Sequence, residues 1–200
     1  MKTKSKLLAA FALSVAMVGA ASFGPSDVAF AQDKKETPKV SRALAKPLKA
    51  AQDAMNAKKY DEALAKLKEA QGMSGRSAYD DYLISEMLGY IYVRTGKYSE
   101  AAKALEAGLN SGYLDESEVP TRIKALAQVN YQIKNYDKAI EYGNRAIKNG
   151  QGDEDMYTLV SQAYYIKGDY KGTLKFLDGY VNSQIKRGQA PKEQTLQLVM

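Results

Sequence analysis

The chain has 200 residues, of which 45% are hydrophobic and 26% charged, a composition typical of a folded protein and not of a disordered one. It contains no cysteine and no histidine, which excludes disulfides, metal sites built on either residue and nucleophilic catalysis by either residue. The net charge of +6 is small enough to reflect solubility as easily as attraction to an acidic partner.

The first residues have the pattern of a bacterial secretory signal peptide. A basic segment at 1–6 precedes a run without charge at 7–21, and the letters AFA at 29–31 form an A-x-A cleavage motif. The run is shorter than the roughly 20 apolar residues that span a bilayer. We therefore expect a signal peptide at 1–31 that is cleaved after Ala31. The letters GAA at 19–21 offer a second site, and an uncleaved anchor is the alternative.

Cleavage after Ala31 would leave a mature chain that is periplasmic or secreted, without stable membrane insertion. Residues 32–40 are polar and contain a proline, so we expect a flexible tail there.

Four similar segments follow the tail: KKYDEALAKLKEA, GKYSEAAKALEAG, KNYDKAIEYGNRA and GDYKGTLKFLDGY. Their tyrosines, Tyr60, Tyr98, Tyr136 and Tyr170, are separated by 38, 38 and 34 residues, and a period of this size is typical of a solenoid. After each tyrosine, small or apolar residues recur at i, i+3/4 and i+7/8, which predicts an amphipathic helix.

A leading helix precedes the tyrosine of each later segment and is predicted at 82–95, 121–134 and 155–167. In the first repeat, Pro47 is expected to start or kink the leading helix. Each repeat is therefore a helical hairpin, and neighbouring hairpins must stack to bury their apolar stripes. We place the repeats in the region 41–183, at about 44–77, 82–115, 120–153 and 154–187.

These residues resemble the tetratricopeptide repeat, in which a leading helix with Leu-Gly and an aromatic residue is followed by a turn and Tyr-x-x-Ala. The second repeat matches in sequence and spacing at Leu88, Gly89, Tyr92, Tyr98 and Ala101. The fourth repeat has Thr173 where the small residue is expected, and the proline that ends the family's repeats is missing. The resemblance implies an all-α fold, a right-handed α-solenoid of helical hairpins.

The resemblance also implies a concave groove lined by the leading helices. Carried over position by position, the best groove candidates are Tyr90, Arg94, Lys124, Gln128, Tyr131, Gln162 and Tyr165. Tyrosine and arginine are enriched among binding hot spots, so such a groove suits an extended peptide or a helix. The family's chaperone-type carboxylate clamp is not expected, because Leu48, Gln52 and Glu86 replace its basic and Asn residues.

No segment points to catalysis or to a cofactor. The glycines at 72–77 and 150–152 lack the pattern of a phosphate-binding loop and are expected to terminate helices. The acidic residues at 153–155 fit helix capping better than a calcium loop. No carboxylate pair stands out, so we expect neither enzyme activity nor a cofactor or metal. The lysines are spread over many helices, which does not favour nucleic acid as a partner.

The sequence therefore predicts an exported scaffold or adaptor that holds a protein or peptide partner in the groove. The alternative is a structural subunit of a cell-envelope assembly that uses its convex or lateral surface. The partner's identity and the oligomeric state stay open.

Residues 184–200 are expected to contain the start of a further helix, because Pro191 suits a first helical turn. Such a helix either continues in a longer natural chain or folds back as a cap. We favour continuation.

Overall fold

The computed structural model describes residues 38–190, so the predicted signal peptide, most of the tail and the segment from Pro191 onward lie outside the described residues. The described part is helical throughout and contains no strand. Its α-helices are α1 (Ala45–Asn56), α2 (Tyr60–Gly72), α3 (Ala78–Arg94), α4 (Tyr98–Asn110), α5 (Val119–Gln132), α6 (Tyr136–Ala146), α7 (Glu154–Ile166) and α8 (Tyr170–Lys186). A π-helical turn, Ile147–Gln151, follows α6.

The helices pack as consecutive hairpins. The pairs α1–α2, α3–α4, α5–α6 and α7–α8 each share an interface, and α2–α3, α4–α5 and α6–α7 join one hairpin to the next. The leading helices also contact each other where α1 meets α3 and where α5 meets α7. This order confirms the predicted all-α solenoid, in which each repeat buries its apolar stripe against its neighbours.

The turn inside each hairpin repeats with the same geometry. Lys58, Gly96, Lys134 and Gly168 have φ values of 59°, 74°, 61° and 75°, in the left-handed region. At each turn this residue's N–H bonds to the carbonyl three residues back, and the next N–H bonds to the carbonyl five residues back, which is a Schellman motif. Glycine adopts this conformation at little cost, whereas a side chain at Lys58 and Lys134 is strained.

Four of the helices, α3, α6, α7 and α8, begin at a residue whose side chain caps the helix. Ser77 Oγ accepts the Asp80 N–H at 3.1 Å and Asp80 Oδ2 accepts the Ser77 N–H at 2.8 Å, so a capping box starts α3 four residues before the predicted start at 82. Asp153 Oδ1 accepts the Met156 N–H at 3.0 Å, which confirms the predicted cap of α7. Pro47 lies in the first turn of α1, where proline is tolerated.

Small residues lie where the helices approach most closely. Ala63, Ala101 and Ala139 are fully buried at equivalent places in three repeats, and Thr173 is buried at the same place in the fourth. A methyl group added to Gly143 of α6 would overlap with the Val160 side chain of α7. The last helix, α8, ends at Lys186.

Candidate binding surface

The seven predicted groove residues lie on three leading helices. We call the side of α3, α5 and α7 that carries them the leading-helix surface. Tyr90 and Arg94 are on α3, Lys124, Gln128 and Tyr131 are on α5, and Gln162 and Tyr165 are on α7. Six of the seven make separate local contacts, and no single contact network connects them all.

Tyr131 and Gln162 connect two repeats. The Tyr131 hydroxyl donates a hydrogen bond to Gln162 Oε1 at 3.0 Å, between α5 and α7. The Tyr131 ring also meets the Tyr136 ring edge-on, with centroids 5.7 Å apart. Burial, and secondarily the neighbouring Tyr136, raises the pKa of Tyr131, so its hydroxyl stays protonated and can donate. These contacts hold the ring in one orientation on the leading-helix surface.

Tyr90 and Arg94 form a second cluster, on α3. The Arg94 guanidinium carbon lies 5.3 Å from the centroid of the Tyr90 ring, within the range of a cation–π contact. The other side of the cluster is Tyr60 of α2, whose ring meets Tyr90 edge-on at 6.5 Å. Arg94 itself is exposed, so its charge remains accessible to a partner.

Lys124 is paired within the chain. Its ammonium group forms an ion pair with Asp153 Oδ2, while the other carboxylate oxygen of Asp153 caps α7. Gln128, one turn further along α5, is half-buried. Of the two cations predicted for the groove, Lys124 is therefore already compensated by a neighbouring repeat.

Tyr165 repeats the geometry of Tyr131 at the end of α7. Its ring meets Tyr170 edge-on at 5.3 Å and 66°, close to the 5.7 Å and 69° of the Tyr131–Tyr136 pair. The two tyrosines thus occupy equivalent places on neighbouring repeats. Tyr170 is exposed, whereas Tyr60, Tyr98 and Tyr136, which begin the same helix in the other hairpins, are half-buried.

A buried ion pair between repeats was missed by the sequence reasoning. Glu86 of α3 and Arg122 of α5 form a bidentate pair, with Oε1 and Nη1 2.6 Å apart; the Arg122 side chain is buried and that of Glu86 is only 11% exposed. Gly108 of α4 makes the space, since a methyl group there would overlap with both charged groups. The one feature of the sequence that could have indicated this pair is Gly108, which lies at the position of Ala70 and Ala146 in two other repeats.

A tyrosine cluster beside this ion pair was also missed. The rings of Tyr79 and Tyr82, at the start of α3, and Tyr113, in the loop after α4, lie 5.3–5.9 Å from one another. Burial, followed by the negative charges of Glu86 and Glu118, raises the pKa of Tyr82 to about 12. Its neutral phenol therefore persists at physiological pH.

Within residues 38–190, no group of three or more acidic side chains is arranged to hold a metal ion. No helix in this same part of the chain has the length and apolar character needed to cross a bilayer.

Comparison with known proteins supports the architecture. The sequence model of the tetratricopeptide repeat family matches residues 48–113 and 124–154, which cover most of the first three hairpins and the first residue of α7. No curated protein matches the sequence. The match and the stacked hairpins together show that this chain carries tetratricopeptide repeats.

Proposed function

We propose that the chain is an exported scaffold that holds a peptide or protein segment against the leading-helix surface. Tetratricopeptide repeats generally mediate interactions between proteins. The observation that carries the proposal is the Tyr131–Gln162 hydrogen bond, which joins tyrosine and amide groups of two repeats on one surface. Tyrosine offers a large contact area with few rotatable bonds, and side chains already held in place lose little entropy on binding.

The charges on this surface favour a partner segment that is largely uncharged. Glu86 is neutralised by Arg122 and Lys124 by Asp153, so the central region presents mainly rings and amides. Amides can donate to and accept from the peptide groups of an extended chain. Arg94 is the exception and would suit one acidic residue near one end of the segment.

Affinity for selected peptides tests the proposal. Peptides from a random displayed library are selected on the full mature chain and measured against variants. Tyr131→Ala should weaken binding by about 1–4 kcal/mol, in the range of hot-spot truncations. Tyr131→Phe keeps the ring and should retain most of the affinity, and Lys103→Ala, at an exposed position of α4, is the matched control. Equal affinities for all variants would place binding elsewhere.

The export part of the proposal rests on the sequence pattern at 1–31. Intact-mass analysis of the protein from the envelope fraction of a bacterial host should give a chain that begins at Gln32. Full-length protein beginning at Met1 in the membrane fraction would instead establish an anchor.

The alternative function, a subunit of an envelope assembly, is favoured by one observation. Large apolar side chains are exposed on the fourth hairpin, among them Ile166, Tyr170, Leu174 and Ile185. A subunit of this kind would keep its assembly contacts in Tyr131→Ala and lose them when these exposed side chains are changed.

A further inference from the structure

The tyrosine cluster of Tyr79, Tyr82 and Tyr113 is an aromatic surface outside the contacts of the seven predicted groove residues. Its ring centroids lie 5.3–5.9 Å from one another, so the rings pack together. Tyr113 is 37% exposed, and the other two rings are half-buried. The cluster is therefore an aromatic platform at the surface of the protein and not a pocket.

This platform lies on the same side of α3 as the predicted groove tyrosine. Tyr82, Glu86 and Tyr90 follow one another at intervals of four residues, which places them in one row along the helix. From Tyr82 to Arg94, which contacts the Tyr90 ring, the helix rises about 18 Å at 1.5 Å per residue. The tyrosine cluster and Arg94 are thus separate contact points at the two ends of α3.

The loop that carries Tyr113 is acidic and has unpaired carboxylates. Its next five residues include Asp115, Glu116 and Glu118 and no basic residue. Asp115 is used locally, because it accepts hydrogen bonds from the N–H and hydroxyl groups of Ser117. Glu118 is the N-cap residue of α5, yet its side chain makes no capping hydrogen bond. Within the part of the chain that the structure describes, neither of the two exposed glutamates is in an ion pair.

Glu118 lies close enough for its charge to act on the cluster. Burial and the charge of Glu86 are the larger causes that raise the pKa of Tyr82 to about 12, and the charge of Glu118 adds to them. Glu86 is already in a buried ion pair, and Asp81 is paired with Arg76. Glu118 is therefore the carboxylate beside the rings that a partner can use. An arginine fits this combination best, since its guanidinium both stacks on aromatic rings and pairs with carboxylates.

We propose that the tyrosine cluster and Glu118 bind an arginine side chain of the protein segment held on the leading-helix surface. The guanidinium would lie against the exposed ring of Tyr113 and donate hydrogen bonds to the Glu118 carboxylate, with Glu116 adding to the attraction. The whole chain has a net charge of +6, so a basic segment is not attracted to its surface in general, and this acidic region would determine where it binds. That the arginine belongs to a bound segment rests on the proposed function, whereas the site itself can be tested with a free peptide.

Nuclear magnetic resonance of the full chain with labelled tyrosine rings tests the site. The probe is the peptide Gly-Ser-Arg-Ser-Gly with blocked ends, and the control peptide carries citrulline, which has the shape of arginine without its charge. The arginine peptide at millimolar concentration should shift the ring signals of Tyr79, Tyr82 and Tyr113, assigned through single phenylalanine substitutions, more than the citrulline peptide does. Equal shifts for the two peptides, shifts confined to other tyrosines, or no shifts would each overturn the proposal.

Two substitutions at exposed positions test the two halves of the site. Glu118→Gln removes the charge and should weaken binding of the arginine peptide about 3–10-fold, with a smaller loss at high salt. Tyr113→Leu keeps an apolar side chain without the ring and should weaken binding about 2–5-fold. Glu141→Gln, at an exposed position of α6, is the matched control and should leave binding unchanged. Unchanged binding in either Glu118→Gln or Tyr113→Leu would overturn the assignment.

The remaining outcomes separate this site from the proposed function. Ring shifts that grow with protein concentration in the absence of peptide would assign the cluster to a second copy of the chain and overturn the proposal. Library peptides that lose affinity in Tyr131→Ala but are not enriched in arginine would leave the proposed function standing and contradict this site. Arginine-dependent ring shifts, together with library binding that Tyr131→Ala does not weaken, would support the site and contradict the proposed function.

Discussion

The second and third repeats are joined differently from the third and fourth. Between the second and third, the buried bidentate pair Glu86–Arg122 occupies the space left by Gly108. Between the third and fourth, α6 and α7 approach through Gly143 and Val160, and the neutral Tyr131–Gln162 hydrogen bond joins the leading helices. Successive junctions in the same repeat fold are thus stabilised by different interactions: a buried ion pair at one and apolar contact at the next.

The sequence period determines which residues occupy equivalent places in successive repeats, but it does not determine which interactions those residues make. Glu86 and Lys124 are separated by one 38-residue period and occupy equivalent places on α3 and α5. Glu86 is buried against a cation of the next leading helix, whereas Lys124 pairs with Asp153 near the surface. A buried pair is costly to break from one side, while a surface pair contributes little. The two junctions should therefore respond differently to substitution.

The largest effect is expected at the charged junction. Arg122→Ala leaves the Glu86 carboxylate buried without its partner and should cost about 3–5 kcal/mol in the free energy of unfolding. Replacing both residues together, with Glu86→Leu and Arg122→Leu, should recover most of this loss. Urea unfolding at pH 7 measures the loss in Arg122→Ala and the recovery in the double variant. If Arg122→Ala lost less than 1 kcal/mol, the ion pair would not hold this junction.

Asp80 provides a second buried charge, between the segment before α1 and the start of α3. Its carboxylate accepts hydrogen bonds from the backbone N–H and hydroxyl groups of Ser41 and Ser77. Asp80→Ala should cost about 2–4 kcal/mol at pH 7, because it leaves buried donors without an acceptor. The exposed neighbour Asp81 is the control, and Asp81→Ala should lose far less.

The contribution of Asp80 should depend on pH. Burial raises its pKa, but the hydrogen bonds from Ser41 and Ser77 together outweigh burial and lower the folded-state pKa below 3.8. The stabilisation is therefore complete above the unfolded pKa and is lost as the pH falls through the folded value. The stability difference between the parent chain and Asp80→Ala should be constant from pH 7 to 5 and shrink below 3.8. A constant difference down to pH 2 would contradict this origin.

The stability of the apolar junction between α6 and α7 should depend on side-chain volume. Gly143→Ala places a methyl group against Val160 and should cost about 1–3 kcal/mol by overpacking. Val160→Ala removes the opposing methyl groups, so the double variant should be more stable than the sum of the single losses predicts. Thermal unfolding of the parent chain, the two single variants and the double variant measures this coupling. Additive losses would show that the two residues do not define the approach of α6 and α7.

The smallest effect is expected in the hairpin turns. Lys134→Gly relieves the left-handed strain that Gly96 and Gly168 avoid, and should stabilise the chain by about 1 kcal/mol. Lys134→Ala keeps a side chain in the same conformation and should give no such gain. Urea unfolding compares the two. A gain for alanine equal to that for glycine would point to the charge of Lys134 and not to its backbone.

Much of the fold could be predicted because the positions of the helices follow from the period of the sequence repeat. The tyrosines Tyr60, Tyr98, Tyr136 and Tyr170 locate the second helix of every hairpin, and each of them begins one. The small residues on these helices are buried as their spacing requires. The left-handed turns are also visible in the sequence, because two repeats have glycine, Gly96 and Gly168, at the position that Lys58 and Lys134 occupy in the other two.

The contacts of the candidate site could be predicted only in part. The positions on α3, α5 and α7 follow from the repeat, but the partner of each side chain depends on which groups neighbouring repeats supply. The Glu86–Arg122 pair spans 36 residues and exists because Gly108 leaves room for it. The start of α3 at Ala78 was missed because aspartate replaces the usual Glu or Gln in its capping box.

The most direct test of the leading-helix surface is amide hydrogen exchange on the full chain with and without a library-selected peptide. Binding on this surface should slow exchange in α3, α5 and α7, with the largest change near Tyr131 and Gln162. The helices α4 and α6 should change little. Protection confined to α4 and α6, or to α8, would contradict the claim that the leading helices hold the partner.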